Sequence, residues 1–507
     1  PLGLTPAQLT NISRPSSLFV AKLTIFSASF FLETSQLILI ILDPFGKSII
    51  KSLIHFYFKF LVNGDDKASN FYKENFSRMF HYIQNRIPEI SDSIVSIDEA
   101  MKAGFGWKDG PFEIWNYIGI NEGKELMKIY GLETAKWIDD ILSNGYNEFY
   151  RKSEGVVEYY DIKSKKYKIK PGQEGFIILK NILGDKVVWS NSEATLYDIG
   201  NDIVNLEFSS KMNVINQNII SSLKKSVEIA EKDFKGLIIG NEGSHFSAGA
   251  DISMIFLLSI EQEYDELNHV MKIFQDTMMR LRYSAIPVVA APHGYTLGGG
   301  CELCLQCDAV VPYSETYIGL VEAGIGLLPG GGGMKEMILR ASDKFKKNDV
   351  EVNILQEYFM NIGMGKTATS GFEGYELDYF IKGRDITVMN KKNQIHIAKQ
   401  KALNLFEAGY TKPIERNDIK VLGKQALGML YVGVDSLRAG DYISDHDKKI
   451  ANKIAYVLCG GDLSQPTKVS EQYLLELERE AFISLCGERK TLERMQYMLR
   501  NGKPLRN

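Results

Sequence analysis

The spacing of apolar residues divides the first half of the chain into two regions. From Asn63 to about Leu142, aromatic and aliphatic residues return every three or four positions, as in ASNFYKENFSRMFHYIQNRI. This periodicity predicts a unit of amphipathic helices. Between residues 144 and 184, charged residues alternate with aromatic or β-branched ones before a Pro-Gly turn, which predicts a short hairpin and a linker.

After Gly184 the pattern changes to short β-branched runs that are bounded by glycine. The strand-like runs are TLYDIGNDIVNLEF, KGLIIGN, PVVAAPHG and DAVVPYS. Amphipathic helical stretches separate them, including QNIISSLKKSVEIAEK and residues 267–282. Strands that alternate with helices predict βαβ units in an α/β domain. From about Asn393 onward helices dominate again.

These changes divide the 507 residues into four predicted segments, in line with a length that exceeds one hydrophobic core. They are residues 1–62, an apolar segment of unknown role; 63–184, a helical unit with a hairpin linker; 185–391, an α/β core; and 392–507, a helical C-terminal region. Within the first segment, Lys22 and Glu33 interrupt the apolar runs. Neither uncharged run reaches the ~20 residues that span a bilayer, so buried helices or strands are favoured over a membrane helix.

The charge composition of the chain bears on whether its partner is a nucleic acid. The net charge is −4, from 59 basic and 63 acidic residues, and gives no electrostatic reason to expect a nucleic-acid partner. The basic, tyrosine-containing run within residues 144–184 is therefore interpreted as a solvated hairpin face. Five cysteines are too few for a disulfide framework in so long a chain, so we expect a reducing compartment, the cytoplasm.

Three of the cysteines, Cys301, Cys304 and Cys307, are close in sequence and raise the question of a metal site. Their spacing has no fourth ligand nearby, and all three fall on a predicted helix. We therefore interpret them as small packing residues and predict no metal.

Two glycine-containing loops follow apolar strands and open helices. They are FSAGADI, Phe246–Ile252, and GYTLGGGCEL, Gly294–Leu303. Glycine lets backbone amides approach a ligand closely, and a helix N-terminus adds its positive end. Each loop alone is consistent with a mere tight connection. Together they could supply two converging N–H groups, the arrangement that stabilises a developing thioester enolate.

Two glutamates accompany these loops. Glu302 lies on the helix opened by the second loop, and Glu322 follows a strand-like run in YIGLVEAGIG. An isolated glutamate would be interpreted as a surface or salt-bridged carboxylate. Beside an anion-stabilising hole, a pair suits addition of water to an activated alkene, since one group can deprotonate water while the other protonates the neighbouring carbon.

FSAGADI, LGGGCE and LVEAGIGLLPGGGG match, in order and spacing over about 150 residues, the enoyl-CoA hydratase (crotonase) superfamily, which this segment resembles. The resemblance implies a crotonase-type ββα spiral core. It also implies that the N–H groups of Ala250 and Gly299 form the oxyanion hole. It further implies that Glu302 and Glu322 are the paired catalytic carboxylates, with water held between them. Glu322 would be the acid that protonates the α-carbon, and Glu302 would be the base.

The residues that contact coenzyme A are less clearly marked by motifs than the catalytic residues are. The segment Ser209–Ile220 sits where such enzymes begin to bind the nucleotide end of the substrate, which makes Lys211 and Asn213 candidates. Lys211 is equally consistent with a solvated surface charge. The other predicted contacts lie in the first loop: Ala248, Asp251 and Ile252.

His245 and His293 flank the two loops, and both are interpreted as structural or surface histidines. Since no Ser/His/Asp or Cys/His arrangement stands out in the sequence, covalent catalysis is not predicted.

A second resemblance covers the flanking regions. DSIVSIDEAMKAGFGWKDGPFEIWNYIGI, residues 92–120, is similar to the second helical C-terminal domain of 3-hydroxyacyl-CoA dehydrogenases. The closing residues resemble the end of bacterial fused proteins in which the dehydrogenase comes first and the crotonase part last. The predicted fold is therefore an α/β crotonase-type core with a helical C-terminal region, preceded by a mostly helical dehydrogenase-type domain.

The chain also departs from that fusion. A dinucleotide-binding domain should carry G-x-G-x-x-G after its first strand, and residues 1–62 contain no such sequence. We therefore expect no redox cofactor on this chain and no dehydrogenase activity. The expected substrate is a coenzyme A thioester, and NAD is expected only if a dehydrogenase domain is supplied elsewhere.

The leading hypothesis is hydration of 2-enoyl-CoA to 3-hydroxyacyl-CoA in fatty-acid β-oxidation. Enoyl-CoA isomerisation and acyl-CoA hydrolysis remain open, as does a non-catalytic remnant or assembly subunit of a β-oxidation complex. The expected partners are a separate dehydrogenase or thiolase chain or further copies of this one.

Overall fold

A computed structural model describes residues 57–153, 156–171, 176–182, 184–346 and 348–507. The chain divides into two compact units, residues 1–174 and 175–507, whereas the predicted boundary lay between 184 and 185. Of the predicted apolar segment 1–62, only residues 57–62 are described, and they are helical. The apolar runs of residues 18–56 lie outside the described residues.

The described part of unit 1 has helices followed by a small sheet. The helices are α1 (Lys67–Gln84), α2 (Ile94–Phe105), α3 (Pro111–Ile118), α4 (Ile120–Ile129) and α5 (Lys136–Ser143). The strands are β1 (Tyr150–Ser153), β2 (Val156–Asp161) and β3 (Lys166–Ile169), paired antiparallel in that order. Where a short hairpin was predicted, the structure has three strands, because a second turn follows Asp161, whose carboxylate accepts from the Ser164 N–H at 2.8 Å.

Aromatic residues form the centre of unit 1. Phe80, Phe112, Trp115 and Phe149 are fully buried. The Phe80 and Trp115 rings stack 4.7 Å apart, and the Phe112 and Phe149 rings meet edge to face at 5.3 Å. The three-and-four spacing of aromatics therefore marks the inward faces of these helices.

A buried carboxyl group ties this unit together. Asp98 on α2 accepts from the Phe112 N–H at 2.8 Å and from the Tyr150 hydroxyl at 2.7 Å. These bonds link α2 to α3 and to β1. Burial raises the pKa of Asp98 to about 7, and the Tyr150 hydrogen bond opposes that shift.

Asp98→Asn should change how stability depends on pH. Unfolded aspartate ionises near pH ~3.9. Since folded Asp98 keeps its proton to about pH 7, the wild type should lose stability as pH rises from about 4 to 7. An asparagine side chain can still accept from the Phe112 N–H and has no proton to lose, so the variant's stability should stay flatter over this window.

Urea unfolding of the full chain in a Trp189→Phe background measures this effect, because the three remaining tryptophans, Trp107, Trp115 and Trp137, all lie in unit 1. Equal pH slopes with aspartate and with asparagine at position 98 would show that the carboxyl group ionises normally.

Unit 2 is built on a six-stranded sheet. Its strands are β4 (Val187–Ser190), β5 (Ala194–Asp198), β6 (Ile203–Phe208), β7 (Gly236–Ile239), β8 (Val288–Ala290) and β10 (Ala309–Val310), in the order β10-β8-β7-β6-β5-β4. β4, β5 and β6 pair antiparallel, and β6, β7, β8 and β10 pair parallel. β9 (Gly294–Leu297) pairs in parallel with β11 (Thr316–Gly319) in a separate two-stranded sheet.

The crossovers between the parallel strands contain helices. They are α6 (Gln217–Asp233), α7 (Ile252–Ile260), α8 (Tyr264–Arg282) and α9 (Gly299–Leu305). Helices thus stand where the amphipathic stretches predicted them, and the predicted βαβ organisation is present.

Both faces of the sheet are covered. Leu237 and Ile239 of β7 point into the main core of unit 2, whereas Ile238 points into a second cluster with Ala398 and Ala402. Those two alanines lie on α13 (Gln394–Glu407), so the helix that follows the α/β core closes the second face. Successive side chains of β7 point to opposite faces of the sheet, and both faces are buried. The strand is therefore apolar at every position.

The remaining helices of unit 2 are α10 (Gly333–Lys344), α11 (Glu351–Gly363), α12 (Glu373–Glu376), α13 (Gln394–Glu407), α14 (Gly423–Ala439), α15 (Asp445–Leu458), α16 (Glu471–Cys486) and α17 (Arg489–Asn501). Strands β12 (Ile419–Val421) and β13 (Thr467–Val469) pair antiparallel among them. No helix in the described ranges is long and apolar enough to cross a membrane.

Candidate active site

The two glycine-containing loops lie against each other in unit 2. Ser247 forms a parallel bridge with Thr296, and its carbonyl accepts from the Leu297 N–H at 3.1 Å. The first loop therefore runs along β9 and leads into α7, while the second opens α9. Both predicted loop-to-helix transitions are present.

The N–H groups predicted to form the hole are not used within the protein. Among the described residues, neither the Ala250 nor the Gly299 amide donates a hydrogen bond. The two residues are neighbours, since a Cβ atom added to Gly299 would lie 3.2 Å from the Ala250 nitrogen. Two adjacent donors without partners fit an oxyanion.

Gly298 positions this hole. Its φ of 52° and ψ of −122° belong to a region that favours glycine. Its N–H donates to the Gly319 carbonyl of β11, and its own carbonyl accepts from the Glu302 N–H, both at 2.9 Å. Gly298 thus couples the Gly299 amide to β11 and to Glu302.

Glu302 is a buried side chain, 2% exposed, on the first turns of α9. Its Oε1 accepts from the N–H of Gly331 at 2.7 Å and of Gly333 at 2.9 Å. These amides open α10, so its helix N-terminus holds the carboxylate in place.

Glu322 follows β11, as predicted, in a 3₁₀ turn, Glu322–Ile325. Both of its carboxylate oxygens are buried and have no hydrogen-bond partner among the described residues. The carboxylate lies beside the hole, because a Cβ atom on Gly298 would be 3.2 Å from its Oε1. Since buried polar atoms are normally satisfied, these two oxygens are poised for a ligand or water.

The two carboxyl groups influence each other. Burial raises the pKa of Glu302 to about 7, against the lowering effect of the Gly333 and Gly331 amides. Burial and then the negative charge of Glu302 raise the pKa of Glu322 well above its ordinary range. Near neutral pH the site therefore favours a protonated Glu322 beside a Glu302 that can ionise, which is one acid and one base.

Two further residues contact the candidate site and were not predicted from the sequence. Phe274 of α8 packs on the loops, and a Cβ atom on Gly331 would collide with its ring. Glu478 of α16 is fully buried and accepts from the Gly332 N–H at 2.6 Å. Neither lies near a motif. The apolar face of α8 was the available signal for Phe274, whereas no signal distinguished Glu478 from its neighbours in ELERE.

The predicted coenzyme A residues come together around one turn. The Ala248 N–H donates to the Met212 carbonyl at 3.1 Å, which joins the 211–213 segment to the first loop. Lys211 is exposed and has no partner among the described residues. The Asn213 side chain donates to the His245 carbonyl at 2.8 Å. Asp251 caps α7 by accepting from Ser253, and Ile252 begins that helix.

The flanking histidines have structural contacts. His293 is 1% exposed, and its Nε2 lies 2.8 Å from the Gly243 carbonyl oxygen. The His245 ring stacks on Tyr295 at 4.3 Å. Burial lowers the pKa of both.

Cys301, Cys304 and Cys307 are unpaired and lie in the main core of unit 2, where they act as packing residues. Within the part of the chain that the structure describes, no group of His, Cys, Asp and Glu side chains could hold a metal ion.

Comparison with protein families identifies two segments. Residues 198–346 match the family model "Enoyl-CoA hydratase/isomerase". Residues 78–153 match "3-hydroxyacyl-CoA dehydrogenase, C-terminal domain". The predicted fold, an α/β crotonase-type core preceded by a helical dehydrogenase-type domain, is thereby confirmed.

Curated relatives extend the match over most of the chain. A protein of Bacillus subtilis named "Probable 3-hydroxyacyl-CoA dehydrogenase" is 41% identical over 89% of this chain and 56% of its own length. A "Putative fatty acid oxidation complex trifunctional enzyme" of Rickettsia felis is 28% identical over 87% of this chain and 54% of its own. The chain therefore spans about half the length of these relatives.

Among solved structures, the enoyl-CoA hydratase from Bacillus halodurans aligns at 17% identity and a TM-score of 0.41, over 60% of this chain and 99% of that one.

Proposed function

We propose that unit 2 hydrates 2-enoyl-CoA to 3-hydroxyacyl-CoA, since residues 198–346 match the enoyl-CoA hydratase/isomerase family and residues 78–153 match the 3-hydroxyacyl-CoA dehydrogenase C-terminal domain. One observation carries this proposal. The buried, unpartnered carboxyl group of Glu322 stands beside two free backbone donors, at Ala250 and Gly299, with Glu302 close enough to affect its ionisation.

The substrate's thioester oxygen would accept from the Ala250 and Gly299 amides. Charge develops on this oxygen as water adds to the double bond, so donors held there in advance stabilise the transition state more than the substrate. The Gly298 backbone, tied to β11, keeps the second donor in position.

The two glutamates would divide the proton transfers. Ionised Glu302 takes a proton from water while the water oxygen forms a bond to C3 of the substrate. The π electrons of the double bond move toward the thioester and give an enolate. Protonated Glu322 then delivers its proton to C2. One water is consumed and the thioester stays intact. Proton exchange through the next water returns both carboxyl groups to their starting states.

The pair of glutamates favours water addition over the other reactions of this family. Isomerisation moves a proton from one carbon to another and needs one carboxyl group. Thioester hydrolysis needs water aimed at the carbonyl carbon, whereas Glu322 lies beside the hole that would hold the carbonyl oxygen. Hydration uses both groups, and both are buried at the loops.

Substrate binding would use the turn formed by residues 211–213 and the first loop. Lys211, exposed and without a partner among the described residues, is the side chain that could meet a phosphate. Asn213 and Asp251 would act by holding the two ends of the loop, since Asn213 donates to the His245 carbonyl just before it and Asp251 accepts from the Ser253 N–H just after it. Ala248 and Ile252 would line the path between these groups.

Hydration needs no NAD, because adding water across a double bond causes no net oxidation. Oxidation of the 3-hydroxyacyl product would need NAD and a dinucleotide-binding domain. The described residues contain no G-x-G-x-x-G sequence that could hold one. We therefore propose that a dehydrogenase domain that is not among these 507 residues consumes the product.

Ultraviolet absorbance of the conjugated enoyl thioester tests this proposal. The purified chain should bleach crotonyl-CoA or a longer 2-enoyl-CoA without NAD, and adding NAD should produce no NADH. Loss of absorbance together with NADH formation would contradict the proposal that this chain hydrates the substrate and does not oxidise the product. No loss at any chain length would favour an assembly subunit.

The pH profile of kcat/KM should reflect the carboxyl pair. Activity should rise with pH around 7, as Glu302 ionises, and not near the ordinary glutamate value of ~4.3. It should fall again at higher pH as Glu322 loses the proton that it must donate. Both limits belong to the coupled pair. A profile that is flat from pH 5 to 9 would rule out both assignments.

A further inference from the structure

A second carboxylate shares the helix end that holds Glu302. The amides of Gly331 and Gly333 donate to Glu302, whereas the intervening Gly332 donates to Glu478 at 2.6 Å and Lys335 donates to its other oxygen at 3.0 Å. Successive amides at the start of α10 thus alternate between two carboxylates, one from α9 and one from α16.

This alternation fixes the directions of the Gly331, Gly332 and Gly333 amides. Turning Gly332 away from Glu478 would rotate the peptide planes on either side, which carry the donors to Glu302. Gly332 has a φ of 100°, a backbone conformation that favours glycine because a side chain would be strained there. Glu478 therefore acts on Glu302 through the backbone.

Glu478 also faces the catalytic charges. The charged and titratable groups around it are Glu302 on α9, Glu322 on the 3₁₀ turn and Lys335 on α10. Behind them, buried Lys335 pairs with Glu336 and Glu471, and Arg282 of α8 pairs with the same two carboxylates. Among the described residues, Glu478 itself forms no salt bridge, although the charge of Lys335 acts on it.

We propose that Glu478 is a positioning residue of the hydration site, which aims the Gly331–Gly333 amides at Glu302. This inference rests on the proposed hydratase function. Burial, and then the charge of Glu302, raises the pKa of Glu478 to about 8. Once ionised, its charge in turn raises the pKa of Glu322.

Glu478→Gln separates these roles from simple packing. Glutamine retains one acceptor oxygen, but its NH₂ group faces an amide that needs an acceptor. We expect kcat for crotonyl-CoA to fall on the order of 10-fold or more with little change in KM, as small misplacements of catalytic groups do. Without the Glu478 charge, the alkaline limit of the pH profile should move to lower pH.

Glu471→Gln is the matched control, because Glu471 is also buried on α16 but does not contact the glycine loop. It should lower stability while leaving the alkaline limit in place. Urea unfolding of both variants reports the structural cost. An unchanged pH limit in Glu478→Gln, or a loss of kcat that Glu471→Gln matches, would overturn the proposal.

An activity-free titration separates this inference from the proposed function. Infrared difference spectra of the wild type without substrate should show carboxyl bands that titrate near and above neutral pH, and Glu478→Gln should lose one band and shift another to lower pH. Loss of one band alone would contradict the coupling. A wild type that shows the coupling but no hydration would contradict the proposed function only.

Discussion

Replacing Glu302 or Glu322 with glutamine should each lower kcat for 2-enoyl-CoA hydration on the order of 100-fold or more, as removal of a general acid or base does. Glutamine keeps the size of the side chain, and at position 302 its amide oxygen can still accept from Gly331 and Gly333. The loss should therefore fall on kcat and leave KM nearly unchanged. Stopped-flow absorbance with crotonyl-CoA measures both.

Glu231→Gln is the control for removing a carboxylate elsewhere in unit 2. Glu231 of α6 is half-buried and accepts from Arg280 of α8 at 2.7 Å, so its loss should cost stability without reducing kcat. If one glutamine variant keeps near-normal hydration, two-carboxylate catalysis is wrong, and an isomerase that needs a single carboxyl group becomes the better account.

Gly298→Ala should lower kcat by about 100-fold, in the range seen when one oxyanion-hole donor is removed. An alanine at φ 52° and ψ −122° is strained, and its Cβ would press on the Glu322 carboxylate at 3.2 Å. Relief of that strain must move the Gly299 amide or Glu322. Either movement impairs the hole more than it impairs coenzyme A binding.

Gly428→Ala provides the comparison. Gly428 lies in the exposed interior of α14, and a Cβ atom there would meet nothing within 4 Å. This variant should fold as well as the wild type or better, since alanine favours helix. Circular dichroism should show that Gly298→Ala is folded. A folded Gly298→Ala with wild-type kcat would show that the hole is elsewhere.

The local structure of the candidate site was predictable because it is encoded in contiguous motifs. FSAGADI and GYTLGGGCEL contain both proposed hole donors, and the predicted helices begin at Ile252 and Gly299. Burial of Glu302 follows from the apolar residues around it in sequence. The same local logic placed the strands of the sheet, whose runs are apolar on both faces.

Contacts between distant segments could not be predicted in this way. Glu478 reaches Gly332 from 146 positions away. In sequence it is one of several glutamates in ELERE, and only tertiary packing distinguishes the buried one. Phe274 likewise belongs to an ordinary amphipathic helix, and its contact with Gly331 emerges only when α8 packs against the loops.

Residues 144–184 show a different limit. Alternation predicted strands correctly but not their number, because β3 is exposed along most of its length and carries lysines. Such an edge strand lacks the apolar face that usually identifies it. β3 is a strand because it pairs with β2, and its own hydrophobicity would not have predicted it.

The most direct test of the central claim is the mass of the product that the purified chain forms from crotonyl-CoA in ¹⁸O-labelled water. Two-carboxylate hydration predicts a 3-hydroxyacyl-CoA that carries one ¹⁸O on its acyl chain, formed without NAD and lost in both glutamine variants. An enoyl-CoA of unchanged mass with a shifted double bond, or free coenzyme A with a labelled carboxylic acid, would contradict it.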